Sequence, residues 1–138
     1  GTLKNEEETV ETLLGRARND RRKQKAFLAE TPDSQGKRTA ITRYKTLERL
    51  EDQSHQEYTL LEVMPKTGRT HQIRAHMAYL SHPIAGDKLY GYKNQPTPKE
   101  LTRQFLHAGY LKIIEPNGTA KEFHSPLPEE LKKVIEKI

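Results

Sequence analysis

The stretch 67–91, TGRTHQIRAHMAYLSHPIAGDKLYG, decides how the rest of this chain is read, because it joins a strand stop, a turn and a helix in one short run. Pro65 ends the apolar run before it, and Gly68 permits a sharp change of direction. Thr70 is a good N-cap type, and Ile73, Met77 and Leu80 recur at i, i+4 and i+7. This spacing predicts an amphipathic helix from His71 to Ser81. His82-Pro83 stops it, and the residues from Ala85 to Gly91 read as loop. Arg69 therefore falls on the turn at a helix N-terminus, where the helix dipole disfavours a cation. A guanidinium there is matched to bidentate pairing with a carboxylate or a phosphate; the alternative is that it satisfies nearby carbonyl groups. His71 and Arg74, three apart on the helix, share a polar face.

Upstream of this run, Ala40, Thr42, Tyr44 and Thr46 alternate with Thr39, Ile41, Arg43, Lys45 and Leu47, which predicts a β-strand from Arg38 to Leu50. EYTLLEVM, from Glu57 to Met64, predicts a second strand, with Asp52 to His55 as the turn of an antiparallel pair. Phe27 and Leu28 suggest a short strand before a loop from Thr31 to Gly36. Further towards the N-terminus, Glu6, Glu7, Glu8 and Glu11 form an acidic stretch. Arg16, Arg18, Arg21, Arg22, Lys23 and Lys25 form a basic one directly after it, so the two could pair with each other. Such runs are most often solvated loops or edges; the functional alternative is an arm that contacts RNA.

Downstream, NQPTP from Asn94 to Pro98 reads as a surface connection, followed by a short helix from Lys99 to Phe105. Pro116-Asn117-Gly118 between Gly109–Glu115 and Ala120–His124 is the strongest hairpin signal in the chain. Pro128 to Ile138 reads as a closing helix with lysines toward its end, as the helix dipole favours.

A chain of 138 residues fits one domain with a modest core. The net charge of +5 suits an anionic partner such as nucleic acid. With no cysteine, disulfides, thiolate metal sites and cysteine nucleophiles are excluded. No stretch has the apolar length of a membrane span and GTLKNEEETVE has no signal-peptide pattern, so a cytoplasmic protein without membrane association is expected.

The chemistry narrows by spacing. His71, His76 and His82 lack the i, i+4 arrangement of a two-histidine zinc site and have no carboxylate in a ligand pattern, so no metal is expected. Ser34, Ser54, Ser81 and Ser125 do not sit in a nucleophile elbow, and Gly86 and Gly91 match no phosphate-loop pattern. Binding of an anion or base remains, or catalysis resting on a carboxylate.

The run 67–91 resembles the second half of the RluA-type family of pseudouridine synthases, with its arginine-histidine-glutamine run, its histidine-proline turn and its GDxxYG run. The resemblance continues through Phe105-Leu106-His107-Ala108, the hairpin, and Phe123-His124-Ser125-Pro126-Leu127-Pro128. Gly36-Lys37 with Ala40, Thr42 and Tyr44 resembles the family's strand before the arginine motif, so the likeness spans most of the chain.

This resemblance implies an α+β fold, a mixed, mainly antiparallel sheet with a few flanking helices. It implies isomerisation of uridine in rRNA or tRNA without a cofactor. The family's catalytic aspartate, in an RLDxxTSG-like motif, and its base-packing tyrosine have no counterpart here. Asp20, Asp33 and Asp52 lie in other contexts, and Asp87, in GDKLYG, reads as structural. Residues 1–138 are then expected to be a single partial domain, the C-terminal half of a catalytic domain, an excised piece or a reduced homologue that is inactive alone. Carried over, Arg69 would pair with the catalytic aspartate of the missing N-terminal half, and Leu106 would lie beneath the uracil. Thr70, His71, Gln72 and Arg74 would shape the cleft wall or contact RNA backbone. The alternative is a non-catalytic RNA-binding module derived from that scaffold.

Overall fold

The computed structural model describes residues 1–28 and 36–138. Four strands form an antiparallel sheet in the order β2-β1-β3-β4, from β1 (Glu7–Arg16), β2 (Gln24–Phe27), β3 (Arg38–Glu51) and β4 (Glu57–Pro65). Helix α1 (Gln72–Tyr79) packs on the sheet; a separate hairpin, β5 (Tyr110–Ile114) with β6 (Ala120–His124), and helix α2 (Glu129–Glu136) follow. The fold is α+β, as expected, and among the described residues every strand pairing is antiparallel.

The alternation read in β3 is the core. Ala40, Thr42 and Tyr44 are fully buried, and the strand neighbour β1 turns Val10, Thr12 and Leu14 to the same side. Leu3, Val10, Tyr44 and Met77 form one apolar cluster, and Leu14, Ala40 and Ala75 a second. Fully burying a large apolar side chain stabilises by about 1.5–3 kcal/mol, so Val10, Leu14 and Met77 hold α1 down. Tyr44 donates its hydroxyl to Glu8 Oε2 at 2.9 Å, and burial together with that carboxylate pushes its phenol up to about 12.

The N-terminal acidic run is a solvent-facing edge, one of the two expected forms, but it takes its ion pairs from β3. The acidic stretch lies largely in the first half of β1, which pairs with β3 on one side and lies beyond the reach of β2 on the other, and its partners are on β3: Glu7 pairs with Arg43 and Glu6 with Arg49. The adjoining basic residues are not its partners in these pairs, and Arg22 pairs with Asp20 instead. A strand, not a solvated loop, results because Val10, Thr12 and Leu14 alternate beneath the charged residues. The short strand near Phe27 is β2. Most of the expected loop from Thr31 to Gly36 lies outside the described residues.

Two helix expectations change. α1 starts one position later than expected: its N-cap is His71, not Thr70, with φ 53° and no side-chain cap. The turn thus takes its left-handed residue at His71, while Gly68 does not have a positive φ. Residues 99–105 form no helix, since Glu100 at φ 67° interrupts helical geometry. The hairpin and closing helix stand as read. Gly118 has φ 83° in the hairpin turn, and α2 buries Leu131 and Val134 with Glu129 and Glu130 in its first turn.

Candidate active site

The turn between β4 and α1 is built around one side chain. Gln72 is buried, and its amide is fully used. Oε1 accepts from the Thr67 hydroxyl at 2.7 Å and from the Arg69 backbone N–H at 3.0 Å; Nε2 donates to the Ile41 carbonyl and the Thr42 hydroxyl, both at 2.9 Å. Thr67 in turn accepts the Ile41 N–H at 2.9 Å. The turn is thereby stitched to β3.

On this base Arg69 is half-buried. Its Nε donates to the Thr39 carbonyl at 3.1 Å, so the carbonyl-satisfying alternative is met in part. Its terminal nitrogens make no hydrogen bond or ion pair to another described residue. Thr70 beside it is exposed. His71 lies edge-on to Tyr90, with ring centroids 5.7 Å apart, and its Nδ1 is 3.2 Å from the Tyr90 hydroxyl. That hydroxyl also accepts the Gln24 N–H at 2.7 Å, tying β2 to the 85–91 loop.

Arg74 points to the far side of α1. Its Nε and Nη2 donate to the two carboxylate oxygens of Asp87 at 2.7 Å each, and its guanidinium lies 4.9 Å from the Tyr90 ring centroid. Asp87 also accepts the backbone N–H groups of Leu89 and Tyr90, both at 3.0 Å. Burial raises the Asp87 pKa, but the Arg74 guanidinium and the two amides outweigh it and hold the carboxyl below its ordinary value. The flanking glycines fit this loop closely: a Cβ at Gly86 would meet the Arg103 carbonyl, and one at Gly91 the Asp87 carbonyl.

Leu106 is half-buried on the wall of a cavity of about 590 Å³. Leu61 and Val63 of β4, Ile73 and Met77 of α1, and residues 105–107 contribute to that wall. Arg69, Thr70, His71, Gln72 and Arg74 are not part of it, so the cavity and the arginine turn are neighbours through Ile73 rather than one enclosed site.

The three histidines of the run diverge. His71 meets Tyr90, His76 is buried between Thr12 and Thr42, and His82 lies against Gly1. Among the described residues no group of His, Asp and Glu is arranged to hold a metal. Thr12 and Tyr90 carry no site signal in the sequence, Thr42 reads there only as a strand position, and His76 reads only as a metal ligand that its spacing rejects. The available signal was Gln72 and His76 at i, i+4 among Ile73, Ala75 and Met77, polar groups on a face that is otherwise apolar.

Residues 2–79 match the family model described as RNA pseudouridylate synthase. An uncharacterised RNA pseudouridine synthase of Chloroflexus aurantiacus is 40% identical over 131 residues, covering 94% of this chain and 37% of that protein. The ribosomal large subunit pseudouridine synthase D of Escherichia coli is 36% identical over 108 residues, 70% of this chain and 32% of that protein. The chain thus spans well under half the length of these curated relatives. The solved structure of human RNA pseudouridylate synthase domain containing 1 superposes with a TM-score of 0.77 at 26% identity, covering 97% of this chain and 54% of that one. With the family model matching more than half of its residues, this chain belongs to the RluA-type RNA pseudouridine synthase family.

Proposed function

We propose that this chain is the C-terminal half of the catalytic domain of an enzyme that isomerises uridine to pseudouridine in rRNA or tRNA, in the cytoplasm and without a cofactor. The observation that carries this reading is Arg69, anchored through its backbone N–H and Nε while its terminal nitrogens have no partner among the described residues. A guanidinium held at its base and open at its tip suits a bidentate pair with a carboxylate. The aspartate of the remaining half of the domain would supply it.

In the reaction the bond from ribose C1′ to uracil N1 breaks, the base turns, C5 bonds to C1′, and the C5 proton is lost while N1 gains one. Arg69 holds and orients the aspartate through these steps, and Leu106 supplies the apolar contact beneath the ring. On this reading Thr70 and His71 contact RNA backbone, while Gln72 and Arg74 support the turn and helix from within, through the Arg69 N–H and Asp87. The uridine leaves its stack to reach this wall, since its reacting atoms are enclosed in a helix.

Release of tritium from 5-tritiated uridine in RNA tests the reading. The complete protein is expected to release it and the 138 residues alone to release negligible amounts. Robust release by the short chain would show that the essential carboxylate lies within it. Salt-sensitive RNA binding by a complete protein with no release would instead favour a non-catalytic RNA-binding module, which the net charge of +5 also supports.

A further inference from the structure

We infer that His76 is a positioning residue for Arg69, acting through Thr42 and Gln72, and that the neutral imidazole with hydrogen on Nε2 is the form that completes this chain of hydrogen bonds. The inference rests on the proposed role of Arg69.

Thr12, Thr42, Gln72 and His76 are all buried, and they are joined end to end. Thr12 Oγ1 is 3.0 Å from His76 Nε2, His76 Nδ1 is 2.8 Å from Thr42 Oγ1, and Thr42 Oγ1 is 2.9 Å from Gln72 Nε2. Gln72 Oε1 then receives the Arg69 backbone N–H at 3.0 Å.

The direction of the Gln72 bonds follows from two groups that act one way only, and the assignment at His76 builds on it. The Arg69 N–H can only donate and the Ile41 carbonyl can only accept, and they meet opposite ends of the Gln72 amide. Gln72 Nε2 therefore donates to Thr42. The Thr42 hydroxyl, having received that hydrogen, has His76 Nδ1 at 2.8 Å as the acceptor for its own within this network, and the lone pair is accordingly assigned to Nδ1. The ring hydrogen is then on Nε2 and goes to Thr12. With hydrogen on Nδ1 instead, Thr42 would receive two donors and its own hydrogen would lack this acceptor. Burial also lowers the His76 pKa, favouring the neutral ring.

The substitutions that separate positioning from packing are His76→Asn and His76→Gln. An asparagine oxygen sits near the place of Nδ1 and still accepts from Thr42, whereas a glutamine head group reaches towards Thr12 and leaves Thr42 without its acceptor. Three readouts are used: imidazole ¹⁵N shifts, hydrogen exchange at the Arg69 amide, and kcat and KM of the complete protein on an RNA substrate. Wild type is expected to show the Nε2–H form. His76→Gln should speed Arg69 exchange about tenfold, the equivalent of one lost hydrogen bond, and lower kcat about ten- to a hundredfold with KM unchanged. His76→Asn should recover most of both.

An Nδ1–H form in wild type overturns the inference before any substitution is made. Equal effects of the two substitutions, or a loss of stability with kcat and Arg69 exchange unchanged, also overturn it. Arg69→Ala separates the premises: if turnover survives that change, the role of Arg69 fails, and the ¹⁵N and exchange results still decide whether His76 sets the turn.

Discussion

Arg74 and Asp87 close a two-bond ion pair in which the carboxylate side chain is wholly buried and the arginine side chain is 16% exposed. It joins α1 to the 85–91 loop on the side of the helix away from the Gln72 network. The pair fixes the helix from one side as Gln72 and His76 fix it from the other.

Removing one partner of such a pair leaves the other charge buried. Arg74→Ala should therefore destabilise the fold by about 3–5 kcal/mol, read as a lower urea midpoint. Asp87→Asn should cost less, since the amide oxygen still accepts one bond and Arg74 is partly open to water. An Arg74→Ala midpoint equal to that of wild type would mean that the pair contributes no net stability.

The same carboxyl sets an acid limit. Its pKa in the folded chain lies below the ordinary 3.8, so the unfolded state binds its proton first as pH falls. This contribution is complete above about pH 5 and is lost as pH drops through 3.8 towards the folded value. Urea midpoints measured between about pH 6 and pH 3 should fall more steeply for wild type than for Asp87→Asn. Parallel curves would remove Asp87 as the source.

Arg69 is half-buried and forms a single side-chain bond among the described residues, so Arg69→Ala should change stability by no more than about 1 kcal/mol. In the complete protein it should lower uridine turnover by at least about 10²–10³-fold, the scale of removing one group that stabilises developing charge. Tritium release at the wild-type rate would take Arg69 out of the reaction.

Arg21 and Lys25 are exposed on the basic stretch at the β2 edge. If that stretch binds RNA, replacing both by Ala should reduce the slope of log affinity against log salt by about 0.7 for each single-strand phosphate that is no longer neutralised. Titrations at several salt concentrations measure this directly. An unchanged slope would return the stretch to the solvated edge that its composition equally suggests.

How much was legible in the sequence depended on whether a signal was local. The alternation through Ala40, Thr42 and Tyr44, the Asn117-Gly118 turn and the strand-turn-helix around Arg69 are all carried by neighbouring residues, and all appear in the structure. β1 was obscured because its first half does face solvent with charge, while the partners that make it a strand, on β3, lie far along the chain. The start of α1 was misplaced because Thr70 has cap chemistry, while the turn is closed by Gln72 reaching back to Arg69. His76 was weighed only as a metal ligand. Its partners, Thr12 and Thr42, become neighbours only when β1 and β3 pair.

The β5–β6 hairpin bears on how the protein behaves in solution. Tyr110, Leu111, Ile114 and Phe123 are each at least half exposed, with apolar groups on both faces of the ribbon. A two-stranded ribbon is marginal in water by itself, and unpaired strand edges recruit other strands. Preparations of the 138 residues should therefore self-associate as concentration rises, and any RNA affinity measured on them should drift with it. Binding curves should be collected at two protein concentrations and read only where they coincide.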